Sequence, residues 1–117
     1  LDMTRYQLFT SGKWWIHEYG DRNDPDAFRF LAEISPLHNL SVGAYPHTLV
    51  ITSDLDDRVV PSHSYKYAAR LNDVQTSGRA ALLHTSRGSS HSGYSGPDET
   101  QVRYLVNKWG FLIKHLR

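Results

Sequence analysis

The sequence predicts an α/β fold built around a parallel sheet, and two observations carry the prediction. Two short apolar runs, 47–53 (His-Thr-Leu-Val-Ile-Thr-Ser) and 79–85 (Arg-Ala-Ala-Leu-Leu-His-Thr), lack the polar–apolar alternation of a half-solvated strand. That is the pattern of strands buried on both faces at the centre of a parallel sheet. Three segments with the apolar period of helices lie before, between and after these runs. The order helix, strand, helix, strand, helix implies an α/β sheet with right-handed crossovers.

The first helix opens at Asp24-Pro25, an N-cap followed by proline at the first helical position. Ala27, Phe30, Leu31 and Ile34 then recur at i, i+3, i+4 and i+7, and Pro36 ends the run, because the residue before a proline is pushed out of the α region. The second helix begins at Pro61 or Ser62 and reaches about Asn72, with Tyr65, Ala68 and Leu71 on one face and Ala69 widening it. The third runs from Pro97 to the last residue. Val102, Leu105, Val106, Trp109, Leu112, Ile113 and Leu116 form a continuous stripe, which is expected to pack on the sheet rather than on a membrane surface or partner. Asp98 and Glu99 in its first turn and Lys114, His115 and Arg117 in its last match the helix dipole.

The chain has 117 residues, 39% of them hydrophobic and 21% charged, which suits one small globular domain or a piece of a larger one. Thirteen Lys and Arg against twelve Asp and Glu give a net charge of +1, which excludes an electrostatic nucleic-acid binder and a polybasic membrane anchor. With no cysteine, a disulfide scaffold and a thiolate metal site are also excluded. No apolar run approaches the roughly 18 residues of a membrane span. Two strands do not make a stable sheet among three helices, so the expectation is a piece of a domain whose remaining strands come from elsewhere in a longer polypeptide.

In open α/β sheets the functional loops follow the carboxyl ends of the strands. Here these are Asp54 to Pro61, with three aspartates and an arginine, and the serine- and glycine-rich Ser86 to Gly96, with His91. An acid after one strand and a histidine after the next is the second half of an α/β-hydrolase triad, in which serine, acid and histidine follow in that order. On residues alone Asp54, Asp56 and Asp57 compete for the acid and His84 competes with His91. A metal centre is not expected: the seven histidines form no His-Glu-x-x-His, and Asp54-x-Asp56-x-Arg58 breaks a calcium loop at its third ligand.

The wording of the sequence is more specific. Ser53-Asp54-Leu55-Asp56-Asp57-Arg58-Val59-Val60-Pro61-Ser62-His63-Ser64-Tyr65-Lys66-Tyr67 resembles the acid-loop motif of the prolyl oligopeptidase family of serine peptidases. Leu1-Asp2-Met3, Phe9-Thr10-Ser11-Gly12-Lys13-Trp14-Trp15-Ile16-His17-Glu18-Tyr19-Gly20 and Ser35-Pro36-Leu37-His38-Asn39 are similar to the same family, so the resemblance covers nearly the whole chain in order. It implies the C-terminal portion of an α/β-hydrolase domain over residues 1–117, without the nucleophile region and without the family's propeller domain. It also implies a role for six residues. Asp56 matches the catalytic acid and His91 the catalytic base, although Ser90 and Ser92 stand where the family usually has glycines. Arg58 matches the arginine that binds the substrate backbone, where a rigid fork of donors suits a carbonyl. Trp15 matches the tryptophan on which the substrate proline stacks, with Tyr19 and Val59 as further walls. Without the resemblance, Trp15 and Tyr19 would read as core aromatics at helical spacing; Trp14 has no match.

No Gly-x-Ser-x-Gly occurs in the chain, so the nucleophile elbow is absent from it. The expectation is a serine endopeptidase cleaving short peptides after proline, cofactor-free and cytoplasmic like most of the family, with this chain inactive by itself. Its partners would be the proline-containing peptide and the remainder of its own catalytic domain. The alternative is a non-catalytic remnant that binds partners or itself through an open sheet edge. Asn39-Leu40-Ser41 is a glycosylation sequon, meaningful only in a secreted eukaryotic chain.

Overall fold

The structure, a computed structural model, describes residues 1–91 and 98–116. Two 3-10 helices, Met3–Leu8 and Thr10–Trp15, lead into a single helical turn, α1 (Ile16–Tyr19). Then follow α2 (Pro25–Glu33), β1 (Thr48–Ser53), α3 (Ser62–Val74), β2 (Ala81–Ser86) and α4 (Asp98–His115). The strands pair in parallel, Thr48 opposite Ala81 through Ser53 opposite Ser86, with α3 as the crossover. Pro97 and Arg117, the expected ends of the last helix, and residues 92–96 of the serine- and glycine-rich loop lie outside the described residues. No helix among the described residues is long and apolar enough to cross a membrane.

The start of α2 follows the sequence closely. The Asp24 carboxylate accepts the Asp26 and Ala27 N–H groups at 2.9 Å, and Pro25 at the first position has no N–H to leave unsatisfied. Of its expected apolar face only Leu31 is fully buried; Phe30 and Ile34 are exposed. The other end is closed by Asn39, whose Nδ2 donates to the carbonyls of Ala32, Glu33 and Ser35 at 2.8–3.0 Å. The nitrogen a glycan would need is thus occupied in tying off a helix end.

Helix α3 carries the core. Ala68, Leu71 and Val74 are buried, Leu71 and Val74 with Leu40 forming a cluster bordered by Tyr45, Tyr67 and Ala81. Ala69 is exposed rather than part of this face. Gln75, just beyond the helix, clamps the approach to β1: its Oε1 accepts the Tyr45 N–H at 2.7 Å and its Nε2 donates to the Tyr45 carbonyl at 3.2 Å. The end of the crossover helix is thereby fastened to the segment that leads into β1.

Two expectations need correction. The strands are parallel, but their apolar stretches are not buried: Leu82 and Leu83 of β2 are exposed and no residue of 48–51 is fully buried, whereas Thr52, Ser53 and Ser86 at the carboxyl ends are. Each strand has one neighbour among the described residues, so the apolar run has little to bury against. The apolar stripe of α4 likewise does not meet the sheet. Trp109 and Ile113 are 55% and 61% exposed, and Val102, Val106 and Leu116 are exposed as well. The side of α4 that borders β2 instead carries Asn107, Gly110, Phe111 and His115, which recur at i, i+3, i+4 and i+8. Apolar periodicity identifies a helix and a face, but not the neighbour that face will meet.

The 3-10 helices were not anticipated from the sequence. They are welded by Gly12, whose hydrogen faces the backbone so closely that a Cβ would lie 1.9 Å from the Tyr6 carbonyl oxygen. Asp2, with no exposed surface, anchors their start: its carboxylate accepts from Thr4 Oγ1 at 3.0 Å, from Arg5 and from Lys66 of α3. These donors outweigh burial, the largest single influence and an opposing one, and hold Asp2 down at about 2. Ser35 Oγ adds a second tie, accepting the Met3 N–H at 3.0 Å.

Candidate active site

The loops after β1 and β2 lie side by side, since parallel neighbours end at the same edge of the sheet. They are stitched by backbone hydrogen bonds, Asp54 N–H to the Ser86 carbonyl and Leu55 N–H to the Ser89 carbonyl, and by Asp54 Oδ1 accepting the Gly88 N–H at 2.8 Å. Asp54 thus joins the two loops and Asp57 is exposed. Asp56 turns back on its own loop, its Oδ1 accepting the N–H groups of Arg58 at 3.0 Å and Val59 at 2.8 Å. This fixes the carboxylate before any partner arrives.

His91 Nδ1 then reaches the same carboxylate, 2.9 Å from Oδ2 and 3.1 Å from Oδ1. The Asp56 side chain is 9% exposed and that of His91 45%. An ionised carboxylate only accepts, so Nδ1 carries the proton and, in the neutral ring, Nε2 carries the lone pair. An imidazole oriented in this way can take a proton through Nε2 while the carboxylate steadies the cation that forms. His84, the competing histidine, has both ring nitrogens engaged: Asn107 Nδ2 donates to its Nδ1 at 3.1 Å and its Nε2 donates to Ser86 Oγ at 3.2 Å. Burial, then the charge of Arg103, lowers its pKa. It braces β2 against α4.

Asp56, His91, Val59, Ser53, Ser64 and Tyr104 line a cavity of about 350 Å³. Val59 also borders a second, more apolar cavity of about 450 Å³, walled by Trp15, Tyr19, Met3, Ile34 and Pro36. The structure thus brings Trp15, Tyr19 and Val59 onto one cavity and Asp56, His91 and Val59 onto the next. Tyr19 is set in place by an edge-to-face contact with Tyr6 at 5.7 Å, and the Tyr6 hydroxyl donates to the Gly20 carbonyl at 2.7 Å. Arg58 lies on neither cavity wall; it is exposed, and its guanidinium forms no ion pair with Asp54, Asp57 or any other described residue. Trp14 is on the surface.

Met3, Ile34, Pro36 and Tyr104 were not singled out as site residues from the sequence. They come from three separate segments, and only proximity in the fold marks them as cavity walls. No group of three or more His, Asp or Glu side chains among the described residues is arranged to hold a metal ion.

Comparison with known proteins gives this geometry a context. Residues 1–117 match the prolyl oligopeptidase family. The chain is 42% identical over 119 residues to prolyl oligopeptidase A of Amanita bisporigera, covering 99% of this chain and 15% of that protein. It is 44% identical over 93 residues to a prolyl endopeptidase of Elizabethkingia miricola, covering 78% of this chain and 13% of that one. Among solved structures, prolyl oligopeptidase B from Galerina marginata, bound to a 35-residue hydrolysis and macrocyclisation substrate, superposes with a TM-score of 0.87 at 32% identity, over 98% of this chain and 16% of that one. The chain therefore spans about one sixth of the length of the relatives it matches. Its fold is that of part of an α/β-hydrolase domain, and the chain belongs to the prolyl oligopeptidase family.

Proposed function

We propose that this chain is the C-terminal part of the catalytic domain of a serine endopeptidase that cleaves short peptides on the carboxyl side of proline. The observation that carries the reading is the 2.9 Å contact between His91 Nδ1 and the Asp56 carboxylate, beside an aromatic-walled cavity that shares Val59 with it. The names of the relatives, prolyl oligopeptidases and a prolyl endopeptidase, support the same substrate class. The nucleophilic serine comes from elsewhere in the longer polypeptide, because no Gly-x-Ser-x-Gly stands in these residues. His91 Nε2 accepts the serine hydroxyl proton as the oxygen attacks the scissile carbonyl, then returns it to the leaving amine. Asp56 holds the tautomer and stabilises the imidazolium. Trp15, Tyr19 and Val59 receive the pyrrolidine ring, the flat indole offering a large rigid surface to it, and Arg58 binds the substrate backbone.

The open strands of the sheet and the exposed stripe of α4 support the partner assignment: the remainder of the catalytic domain covers them, and this chain alone is inactive. The same surfaces would serve the second reading, a self-associating module without catalysis. The test is His91→Ala in the complete peptidase. Turnover of a proline-containing peptide should fall by about 10⁴-fold. A near-normal rate would remove His91 from the mechanism. Trp15→Ala should reduce the preference for proline over alanine at the cleaved position more than it lowers the melting temperature; the reverse would return Trp15 to a packing role.

A further inference from the structure

The cavity bounded by Trp15, Tyr19 and Val59 has one wall that stacking on a proline ring does not use. His63, in the first turn of α3, lines it and is 6% exposed. Its Nδ1 lies 3.2 Å from the backbone nitrogen of Asp2. A backbone N–H only donates, so Nδ1 is the acceptor and bears no proton, and the proton of the neutral ring is on Nε2. Burial, with Lys66 acting in the same direction and Asp2 opposing, lowers the pKa of the ring and keeps it neutral.

The ring is also held in orientation. Phe9 meets it edge to face at 5.5 Å, and the Asp2 backbone that it accepts from is itself fastened through the buried Asp2 carboxylate. Nε2 has no acceptor among the described residues, yet it is not one of the fully buried polar atoms left without a partner, which are Arg22 Nε and Ser62 Oγ. Nε2 therefore keeps accessible surface, on a ring that borders the cavity. Within these residues the cavity measures about 450 Å³.

We infer that His63 is a specificity-determining residue of this cavity, its Nε2–H donating to a hydrogen-bond acceptor carried on the bound ring, so that a hydroxylated proline is favoured over a proline bearing an apolar group of similar size. The inference rests on the post-proline reading and names a substrate class for it. The asymmetry is chemical. With proline itself, water can still answer the donor. A methyl group in that space displaces the water and leaves the N–H unpaired, which costs more than a formed hydrogen bond gains. A site built to hydrogen-bond a substituent rejects its apolar analogue far more strongly than an apolar pocket rejects a hydroxyl.

The experiment compares kcat/KM of the complete peptidase on matched short peptides with proline, 4-hydroxyproline or 4-methylproline at the cleaved position, the substituted residues as both ring epimers. For one epimer the hydroxyl-to-methyl ratio should be about tenfold or more. In His63→Asn it should fall to about one: the shorter amide can still accept the Asp2 N–H, but it brings no donor to the place of Nε2. The ratio is taken within each protein, so a general loss of activity in the variant cancels. A wild-type ratio near one for both epimers overturns the inference, and that result needs no variant to fold. A large ratio that persists in His63→Asn overturns it too. If the wild-type enzyme cuts none of the three peptides, the post-proline reading falls and this inference with it; cleavage of the proline peptide with no hydroxyl preference removes only the role of His63.

Discussion

The loop after β1 and the loop after β2 leave the same edge of the same small sheet, yet they are held in opposite ways. The first runs directly into α3, whose Ala68, Leu71 and Val74 are buried, and its Asp56 carboxylate is fixed by two backbone N–H groups of its own turn. The second precedes α4, which buries no described side chain, and His91 is tied to the rest of the chain through Asp56. One loop is organised by the residues around it and the other is organised by the first. A preset acid that positions the base costs little reorganisation during proton transfer, which is where preorganisation lowers a barrier. The same contrast separates the two helices: α3 finds its apolar neighbours inside this chain, and α4 turns its apolar stripe outward.

The largest expected effect tests the first half of the contrast. Asp56→Asn in the complete peptidase should leave the turn nearly intact, because an amide oxygen still accepts the Arg58 and Val59 N–H groups. It also offers an amide donor to His91, which favours the wrong tautomer. Turnover should fall by about 10⁴-fold with little change in KM. A loss below about tenfold would mean that the acid loop does not orient the base.

The second prediction compares the helices. Leu71→Ala removes a side chain that is 1% exposed and should cost about 2–5 kcal/mol, read as a shift in the urea midpoint. Trp109→Ala in this same chain should cost less than about 0.5 kcal/mol, as for other exposed positions. In the complete peptidase the Trp109 cost should rise severalfold if the rest of the domain covers α4. Equal costs in both contexts would leave that stripe uncovered.

A third prediction concerns acid, and the N-terminal segment that α3 anchors. His63 has a folded pKa of about 4, below its ordinary 6.5. The unfolded chain therefore binds a proton that the folded chain refuses, and stability falls as pH drops from about 6.5 to about 4, by about 3 kcal/mol. Asp2, held at about 2 against an ordinary 3.8, contributes stability that is present above about pH 4 and is lost as pH falls through about 2, by about 2 kcal/mol. Urea midpoints should decline in these two successive windows. His63→Asn should flatten the upper window and leave the lower one.

Much of the scaffold was legible because it is written locally. Asp24-Pro25 marks a helix start through chemistry confined to four residues, and the periods of α3 and α4 located those helices to within about two residues. What was not legible depends on partners distant in sequence. The 3-10 helices at 3–15 are too short to leave a period, and their weld at Gly12 becomes visible only when the Tyr6 carbonyl lies against it. The direction of the α4 stripe depends on which surface is nearest. The order of strands, acid and histidine named the two loops of the candidate site, and the family motif singled out Asp56 among three aspartates. That Asp54 holds Gly88 while Asp56 holds His91 is a property of the folded turn.

The smallest expected effect turns on that last distinction. Asp54 Oδ1 is an exposed acceptor for the Gly88 N–H at 2.8 Å, and it is a side-chain link between the two loops that involves neither Asp56 nor His91. Asp54→Ala removes one hydrogen bond without burying an unpaired group, since water reaches the freed N–H, so the cost should be about 1 kcal/mol. The loop bearing His91 should loosen, and turnover in the complete peptidase should fall by about five- to tenfold, far less than for Asp56→Asn. Asp54→Asn keeps an oxygen in place and should restore most of that loss. If Asp54→Ala were instead as damaging as Asp56→Asn, the base would be organised by the stitching of the loops and not by the acid, and the contrast between the two loops would disappear.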